Sequence, residues 1–448
     1  MTETLDLIVI GAGMAGINAA KKAAGAGWSV VIVDELPYGG TCALRGCDPK
    51  KMLRAGAEAI DAARLLEGKG VAGEMRIDWP ALMKHKGSFT DPVPENMEDG
   101  LRKAGVKTLH GSARFTAEDR IELEGHGEFT FKHALIATGA KPRPLDFPGA
   151  DRLIDSTEFL NLPNLPERIV FVGGGYISFE FAHIAARAGA KVTILDHGKE
   201  QLKMFDPDLV DMLLERSRAV GIEIIANAAP NRIETAGDVE RVTYSVDGKS
   251  HVKEADLVVH GAGRVPAVEC LDLSAAGIET EHGGVKVEAW LQSTSNPRVY
   301  AAGDAAASPG KPLTPVAVFE GKIAVSNMLK NKQTAPDYTG VPSVAFTIPE
   351  LARVGMLEEE ARETGDVGVS FTDTSDWFSQ KRLGETHAGA KIISDENGKI
   401  LGAHMFGPEY AELINIFSLA IKLGLTVDQV KTMPAAYPTG ASDIGSMF

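Results

Sequence analysis

The chain has 448 residues, 44% apolar and 24% charged, the balance of a folded globular protein rather than a disordered one. That length exceeds the ~250 to 300 residues at which a single core stops growing, so two or more domains are expected. A net charge of −15 argues against a nucleic-acid surface or an anionic membrane as the main partner. Three cysteines are too few for a secreted disulfide scaffold, and no Cys/His cluster suggests a metal site.

No basic leader precedes the first apolar strand, and no run of about 18 uncharged apolar residues is present to span a bilayer. The expected address is cytoplasmic. Leu5 to Ile10 is a continuous apolar strand that runs into Gly11-Ala-Gly13-Met-Ala-Gly16, with a helix expected over Ile17–Ala24 and a second strand over Ser29–Val33, closed by Asp34. Strand, glycine turn, helix, strand and terminal acid make up the dinucleotide-binding fingerprint. Its glycines let the backbone approach a pyrophosphate at the helix start, and Asp34 can accept hydrogen bonds from a ribose.

The next stretch, GGTCALRGCDPKK, places Cys42 and Cys47 five residues apart. Five residues of ideal helix separate Cα atoms by roughly 7.5 Å, beyond the ~4.4 to 6.8 Å that a disulfide tolerates, so a redox pair here needs a distorted turn. Gly46 permits one. Pro49 suits the first turn of a helix, which places Cys47 where unpaired amides favour a thiolate. Arg45, Lys50 and Lys51 add positive charge, and Asp48 opposes it. The alternative is a pair of buried, inert thiols.

Helices are expected over Met52–Leu66 and, broken by Asp91-Pro92, over Asp78–Leu101, followed by strands from Val106 to Phe131 and again at Leu135–Gly139. A proline-rich crossing, Lys141 to Pro148, marks a domain boundary. Arg168–Val172 then runs into Gly173-Gly-Gly175-Tyr-Ile-Ser178, a helix over Phe179–Ala188, a strand over Lys191–Leu195 and Asp196. The interval from Gly11 to Asp34 equals that from Gly173 to Asp196, so the fingerprint occurs twice and two dinucleotides are expected. Ser178 in place of a third glycine implies a slightly looser helix-to-strand contact. Asp196 favours a free 2′-hydroxyl and hence NADH, while His197 and Lys203 leave NADPH open.

Further strands are expected at Ala255–Val259 and in Val299–Asp304, and a helix from Leu313-Thr-Pro315 to about Lys330, before a polar linker at 331–341. The last hundred residues read as a meander of short strands and a helix over Glu409–Leu423. Cys270 reads as a core filler.

With these motifs in hand, the chain resembles the flavoprotein disulfide reductases, the class I pyridine nucleotide-disulfide oxidoreductases that include dihydrolipoamide dehydrogenase, glutathione reductase and mercuric reductase. The resemblance rests on GAGMAG, GGTCALRGCDPKK, GSARF, ATGAKPRP, GGGYISFE, GAGRVP, AAGD, LTPVA, FTIPE and LGAHMFGPE in that order. It implies an α/β fold with two Rossmann-like domains, an FAD domain at 1–147 and 266–338 around an NAD(P) domain at 148–265, and a carboxyl-terminal α+β dimerisation domain at 339–448. A homodimer is implied, each active site being completed by the partner's carboxyl-terminal segment.

Carried onto matching positions, the resemblance implies that Gly11, Gly13, Gly16 and Asp34 hold the adenosine half of FAD. Thr138, Gly139 and Asp304 would lie along its phosphates and ribityl chain, and Gly40, Thr41 and Ala113 join the cofactor-binding set. Gly173, Gly175, Ile177, Asp196, Gly263 and Arg264 would serve the nicotinamide nucleotide, with Tyr176 as an aromatic gate. Lys51 would sit beside the flavin N5 and pair with Glu180. Hydride would pass from NADH, or NADPH, to the flavin, and electrons would open the Cys42–Cys47 disulfide. Cys47 would be the buried thiolate under the flavin and Cys42 the exposed thiol that attacks substrate.

One departure matters. The disulfide-cleaving members carry His-Pro-Thr-x-x-Glu near the carboxyl terminus, whereas here Tyr437-Pro438-Thr439 leads to Ser442, with Asp443 next. A phenol near pKa 10 does not shuttle protons at pH 7 as an imidazole near 6.5 does. None of the eleven histidines lies beyond His404. Tyr437 is either a catalytic residue or only a lid, and the expected acceptor is a disulfide, persulfide or soft metal ion, small molecule or small protein. The alternatives are a transhydrogenase or quinone-reducing diaphorase that uses the flavin alone, and a nucleotide-bound redox sensor.

Overall fold

The computed structural model describes residues 4–448; the first three residues of the expected 1–147 domain lie outside them. The chain folds as two compact units, one of Met1–Lys51, Lys84–Arg143 and Arg264–Tyr338, the other of Met52–Met83, Pro144–Gly263 and Thr339–Phe448.

In the first unit, parallel strands at Lys107–His110, Val30–Asp34, Thr4–Ile10, Gly127–Ile136 and Val299–Ala301 lie side by side. The amino-terminal half of Gly127–Ile136 also pairs antiparallel with Arg120–Leu123, which pairs with Ala113–Ala117. The central strand is fully buried over its apolar Leu7–Ile10 run, as a parallel sheet covered on both faces requires, while Asp6 sits at the half-buried end. Against one face pack the Met14–Gly25 and Thr314–Lys330 helices, through Ile17, Ala20, Ala23, Ala324, Val325 and Met328. They come close because Gly321 lacks a side chain: a Cβ there would stand 2.5 Å from the Ala15 carbonyl oxygen.

The second unit holds a parallel sheet in the order Glu223–Ile225, Lys191–Leu195, Arg168–Val172, Leu257–His260. An antiparallel meander of Ala229–Ala236, Val239–Val246 and Lys249–Ala255 accompanies it. The single strand expected over Ala255–Val259 is thus two elements. Asp256 divides them, with its carboxylate accepting the Arg168 N–H at 2.8 Å.

The carboxyl-terminal residues form a five-stranded antiparallel sheet ordered Ser343–Ala345, Glu350–Gly355, Ile400–Gly407, Gly389–Asp395, Val367–Asp373. The Tyr410–Leu423 helix covers it through Leu413, Ile414, Phe417 and Ala420. The whole is the mixed α/β fold that the two fingerprints and the carboxyl-terminal meander imply.

Cys270 is not in a core. It is exposed in the short Glu269–Leu271 turn, where the inward position is taken by Leu271.

Candidate active site

The first fingerprint is a cradle built from backbone. Gly11 has φ +103°, and a Cβ there would lie 2.3 Å from the Ala137 carbonyl oxygen; one on Gly16 would lie 2.0 Å from the Gly11 carbonyl oxygen. Both positions exclude every larger residue, which holds the strand end, the helix start and the Ala137-Thr138 turn together. Gly13 caps the Met14–Gly25 helix without a side-chain hydrogen bond, leaving first-turn amides for an anion. Asp34 is anchored by the N–H groups of Ala12 (2.6 Å) and Leu36 (2.9 Å). Gly40, at φ +65°, approaches so closely that a Cβ would meet the Gly13 Cα at 2.5 Å, and the Gly39 N–H donates to the Ala12 carbonyl at 3.0 Å. The nucleotide turn and the cysteine loop are therefore one structure.

Thr138 Oγ1 is buried with no hydrogen-bond partner in the polypeptide. A buried hydroxyl of that kind is costly unless a ligand uses it. Together with the glycine cradle and the anchored acid, it fits a bound dinucleotide such as FAD, with Gly139 at φ +70° beside it. Ala113 is buried at the start of its strand, and Thr41 is exposed.

Between the cysteines the backbone makes a wide helical turn over Thr41–Arg45, and a 19-residue helix starts at Cys47 itself. This is the distorted turn that the spacing demands. The helix begins five residues before the Met52 read from periodicity, because Asp48 and Pro49 suit its first turn. Cys42 and Cys47 are not joined to one another in this structure and lie within hydrogen-bonding range. The Cys42 thiol is pushed well up in pKa, first by its hydrogen bond to Cys47, then by burial. In the polypeptide alone Cys47 is exposed and Cys42 half-buried. Cys47 opens a helix at the surface of the polypeptide, while Cys42 sits within the turn beside buried Ala43. Lys50 is buried and Lys51 exposed on the same helix.

Two further groups were not read from the sequence. Thr314, the first residue of the Thr314–Lys330 helix, places its Oγ1 3.6 Å from Cys47 Sγ. Glu320, fully buried, accepts the Gly303 N–H at 2.7 Å and the hydroxyls of Ser308 and Tyr338 at 2.6 Å each. It thereby fixes the Gly303–Ala305 turn that carries Asp304. Burial raises the pKa of both carboxyls, and the Arg264 guanidinium partly offsets this at Asp304. Arg264 also donates to the Ala140 carbonyl. For Thr314 the available signal is LTPVA, which reads as a helix start and as part of the resemblance but by itself gives no role at the cysteines.

The second fingerprint is as tight. Gly173 has φ +110°, and a Cβ there would meet the Gly261 carbonyl oxygen at 2.4 Å. Gly175 caps the Tyr176–Arg187 helix without a side-chain bond. Ser178 does not loosen the contact as expected. It is fully buried, and the room comes from Gly261, where a Cβ would meet Ser178 Oγ at 1.9 Å. Asp196 is buried, and its Oδ2 accepts from Gln201 Nε2 at 3.1 Å. Tyr176 is exposed, Ile177 half-buried, and Gly263 stands at φ +101°. Glu180 is buried, its Oε1 accepting the Phe346 N–H at 2.8 Å. Tyr437 is 81% exposed just before the Gly440–Ser446 turn that carries Asp443.

Among the described residues no cluster of three or more His, Cys, Asp or Glu could hold a metal ion, and no helix is long and apolar enough to cross a membrane.

Comparison with known proteins gives a consistent answer. The family model for pyridine nucleotide-disulphide oxidoreductases matches residues 5–321, and that for their dimerisation domain matches residues 341–447. A dihydrolipoyl dehydrogenase of Geobacillus stearothermophilus is 33% identical over 98% of this chain and 93% of its own length. A mercuric reductase of Bacillus cereus is 30% identical over 98% of this chain and 70% of its own. Among solved structures, the HOCl-induced flavoprotein disulfide reductase RclA from Escherichia coli superimposes with a TM-score of 0.88 at 28% identity, covering 99% of both chains. A mutant of it in a Cu(II) complex gives 0.89 at 27%, again covering 99% of both. With a fold, two nucleotide cradles and a cysteine pair to match, the chain belongs to the pyridine nucleotide-disulphide oxidoreductases, enzymes that bind FAD and use NAD(P).

Proposed function

We propose that this enzyme takes electrons from NADH, NADPH being the lesser substrate, through FAD to a Cys42–Cys47 disulfide, and passes them to a disulfide, persulfide or soft-metal acceptor. The observation that carries the reading is the contact between the two sulfurs at a helix start, joined through the Gly39–Ala12 hydrogen bond to the first nucleotide cradle. The flavin, when bound, supplies the exchange between hydride and sulfur chemistry.

The chain's own residues do the rest. Gly11, Gly13, Gly16, Asp34, Gly40 and Thr138 hold the dinucleotide, and Asp304, set by Glu320, faces the same ligand. Cys47, at the start of a helix, is assigned as the stabilised thiolate and Cys42 as the thiol that exchanges with substrate. Lys51 and Glu180 are assigned to the reacting centre, and Tyr176 gates the nicotinamide. Asp196 supports NADH: a buried carboxylate bonded to Gln201 repels a 2′-phosphate and accepts a 2′-hydroxyl. Residues 339–448 are assigned to a homodimer interface, and the protein to the cytoplasm.

A second reading has its own observation. The phenol of Tyr437 stands exposed where disulfide-cleaving relatives carry an imidazole, which favours a transhydrogenase or diaphorase using the flavin alone. One experiment separates the two, an acceptor screen with both nicotinamides on wild type and Cys42→Ser. Under the first reading Cys42→Ser abolishes turnover of the physiological acceptor while keeping FAD. If instead the variant keeps its full rate with every acceptor, the cysteines are not on the electron path.

A further inference from the structure

We infer that Thr314 is a further catalytic residue: its hydroxyl donates a hydrogen bond to the Cys47 sulfur and so favours the negative charge of the reduced pair on that sulfur. The inference rests on the reading that Cys42 and Cys47 cycle, and adds a residue from a distant part of the chain.

Opening the disulfide takes two electrons and one proton, the content of one hydride, and leaves one thiol and one thiolate. Something must choose between the sulfurs. Cys42 and Cys47 lie within hydrogen-bonding range of one another. Thr314 Oγ1 stands 3.6 Å from Cys47 Sγ, within the reach of a hydrogen bond to sulfur, and also lies within hydrogen-bonding range of Cys42. A hydroxyl has one hydrogen to give and gives it to the charged partner, where the bond is strongest. With Cys47 anionic, both donors, Cys42 S–H and Thr314 O–H, converge on one sulfur. With Cys42 anionic, Thr314 can follow the charge, but Cys42 then lies in the half-buried turn rather than at a helix start.

The placement is built into the fold. Thr314 opens a 17-residue helix whose preceding residue, Leu313, makes no side-chain cap, and Pro315 fixes the first turn. The hydroxyl is therefore not spent on capping, and the positive end of the helix faces the same sulfurs. The other charged groups of the cysteine stretch are Arg45, Asp48, Lys50 and Lys51. Asp48, raised by burial, acts against a thiolate, and all four are unchanged when Thr314 alone is substituted.

The test uses the FAD-loaded protein reduced with dithiothreitol, so that no acceptor or turnover is needed. Alkylation by iodoacetamide is followed from pH 5 to 10 and resolved at each cysteine by peptide mass spectrometry. In Thr314→Val and Thr314→Ala the midpoint for Cys47 should move up by about one pH unit, cutting its alkylation about tenfold at pH values below both midpoints. Thr314→Ser should keep the wild-type profile. An unchanged profile in Thr314→Val or Thr314→Ala overturns the inference, and so does a shift in Thr314→Ser as large as theirs. Should Thr314→Val not fold, the alanine and serine variants carry the comparison. Failure of the parent reading looks different: Cys42→Ser would retain turnover while the alkylation profiles behaved as described.

Discussion

Tyr437 is the residue at which the proposed choice of acceptor is most directly tested. It is almost fully exposed, just before the turn that carries Asp443. Replacing it with histidine puts a group that titrates near neutrality at the position where the family resemblance implies one. Tyr437→His should raise the NADH-dependent reduction of lipoamide or glutathione disulfide roughly 10- to 100-fold, at or below the lower end of the ~10²- to 10⁴-fold that general acid–base help supplies. Ser442 stands where the orienting acid would be, which keeps the gain at that lower end. Steady-state rates on both disulfides check this, and no gain would mean that the pocket excludes them. Cys270 illustrates the opposite lesson. A lone cysteine taken for core is exposed because the turn it occupies buries Leu271 instead.

The glycine turns and the buried ion network show what holds the elements in register. Gly11→Ala places a Cβ 2.3 Å from the Ala137 carbonyl at a φ of +103°, so backbone must move on both sides. A loss of ~1 to 3 kcal/mol is expected, with a lower FAD content in purified protein, measured by unfolding in denaturant and by flavin absorbance. In the second unit Asp61 bonds both Arg187 (2.8 Å) and Arg216 (2.9 Å), and Arg216 also meets Glu385 at 3.2 Å. Burial lowers the pKa of Arg187 to about 10. Asp61→Ala strands two guanidinium groups away from water and should cost ~3 to 5 kcal/mol. Because the helix of Asp61 begins at Cys47, the same variant tests how far helix stability reaches toward the redox turn.

For the molecule as a whole, one buried imidazole gives a pH signature. His183 accepts from Ile348 N–H at 3.1 Å and Arg187 Nη1 at 3.2 Å, both on Nδ1, so Nε2 carries the proton and donates to Ser217 Oγ at 2.9 Å. Burial first, and then the charges of Arg187 and Arg216, hold its pKa well below the usual 6.5. The unfolded chain therefore binds a proton near pH 6.5 that the folded chain refuses. Stability is full above about pH 6.5 and falls as pH drops below it, by up to ~1.4 kcal/mol per pH unit from this group. Denaturant unfolding at pH 7.5 and 5.5 should show the loss, and His183→Gln should flatten the slope whatever it does to the absolute value.

Much of this was legible without coordinates, for a physical reason. A dinucleotide turn is local: strand, glycines, helix and acid lie within one short stretch, so their order alone implies both cradles at Gly11–Asp34 and Gly173–Asp196. The demand of a disulfide on five residues likewise implies a distorted turn, and a wide one is present at Thr41–Arg45. What the order of residues could not supply was distance across the chain. Thr314 meets Cys47 from 267 residues away, and Glu320 fixes the Asp304 turn through a helix that reads only as alanine-bearing. Gly261 makes the space that lets Ser178 stand in for a glycine. Exposure was also a tertiary matter, since the same thiol is core or surface according to which neighbour the turn buries. Local backbone geometry is written in short-range pattern, whereas packing depends on which distant segments the fold happens to bring together, and that is decided only when the chain closes on itself.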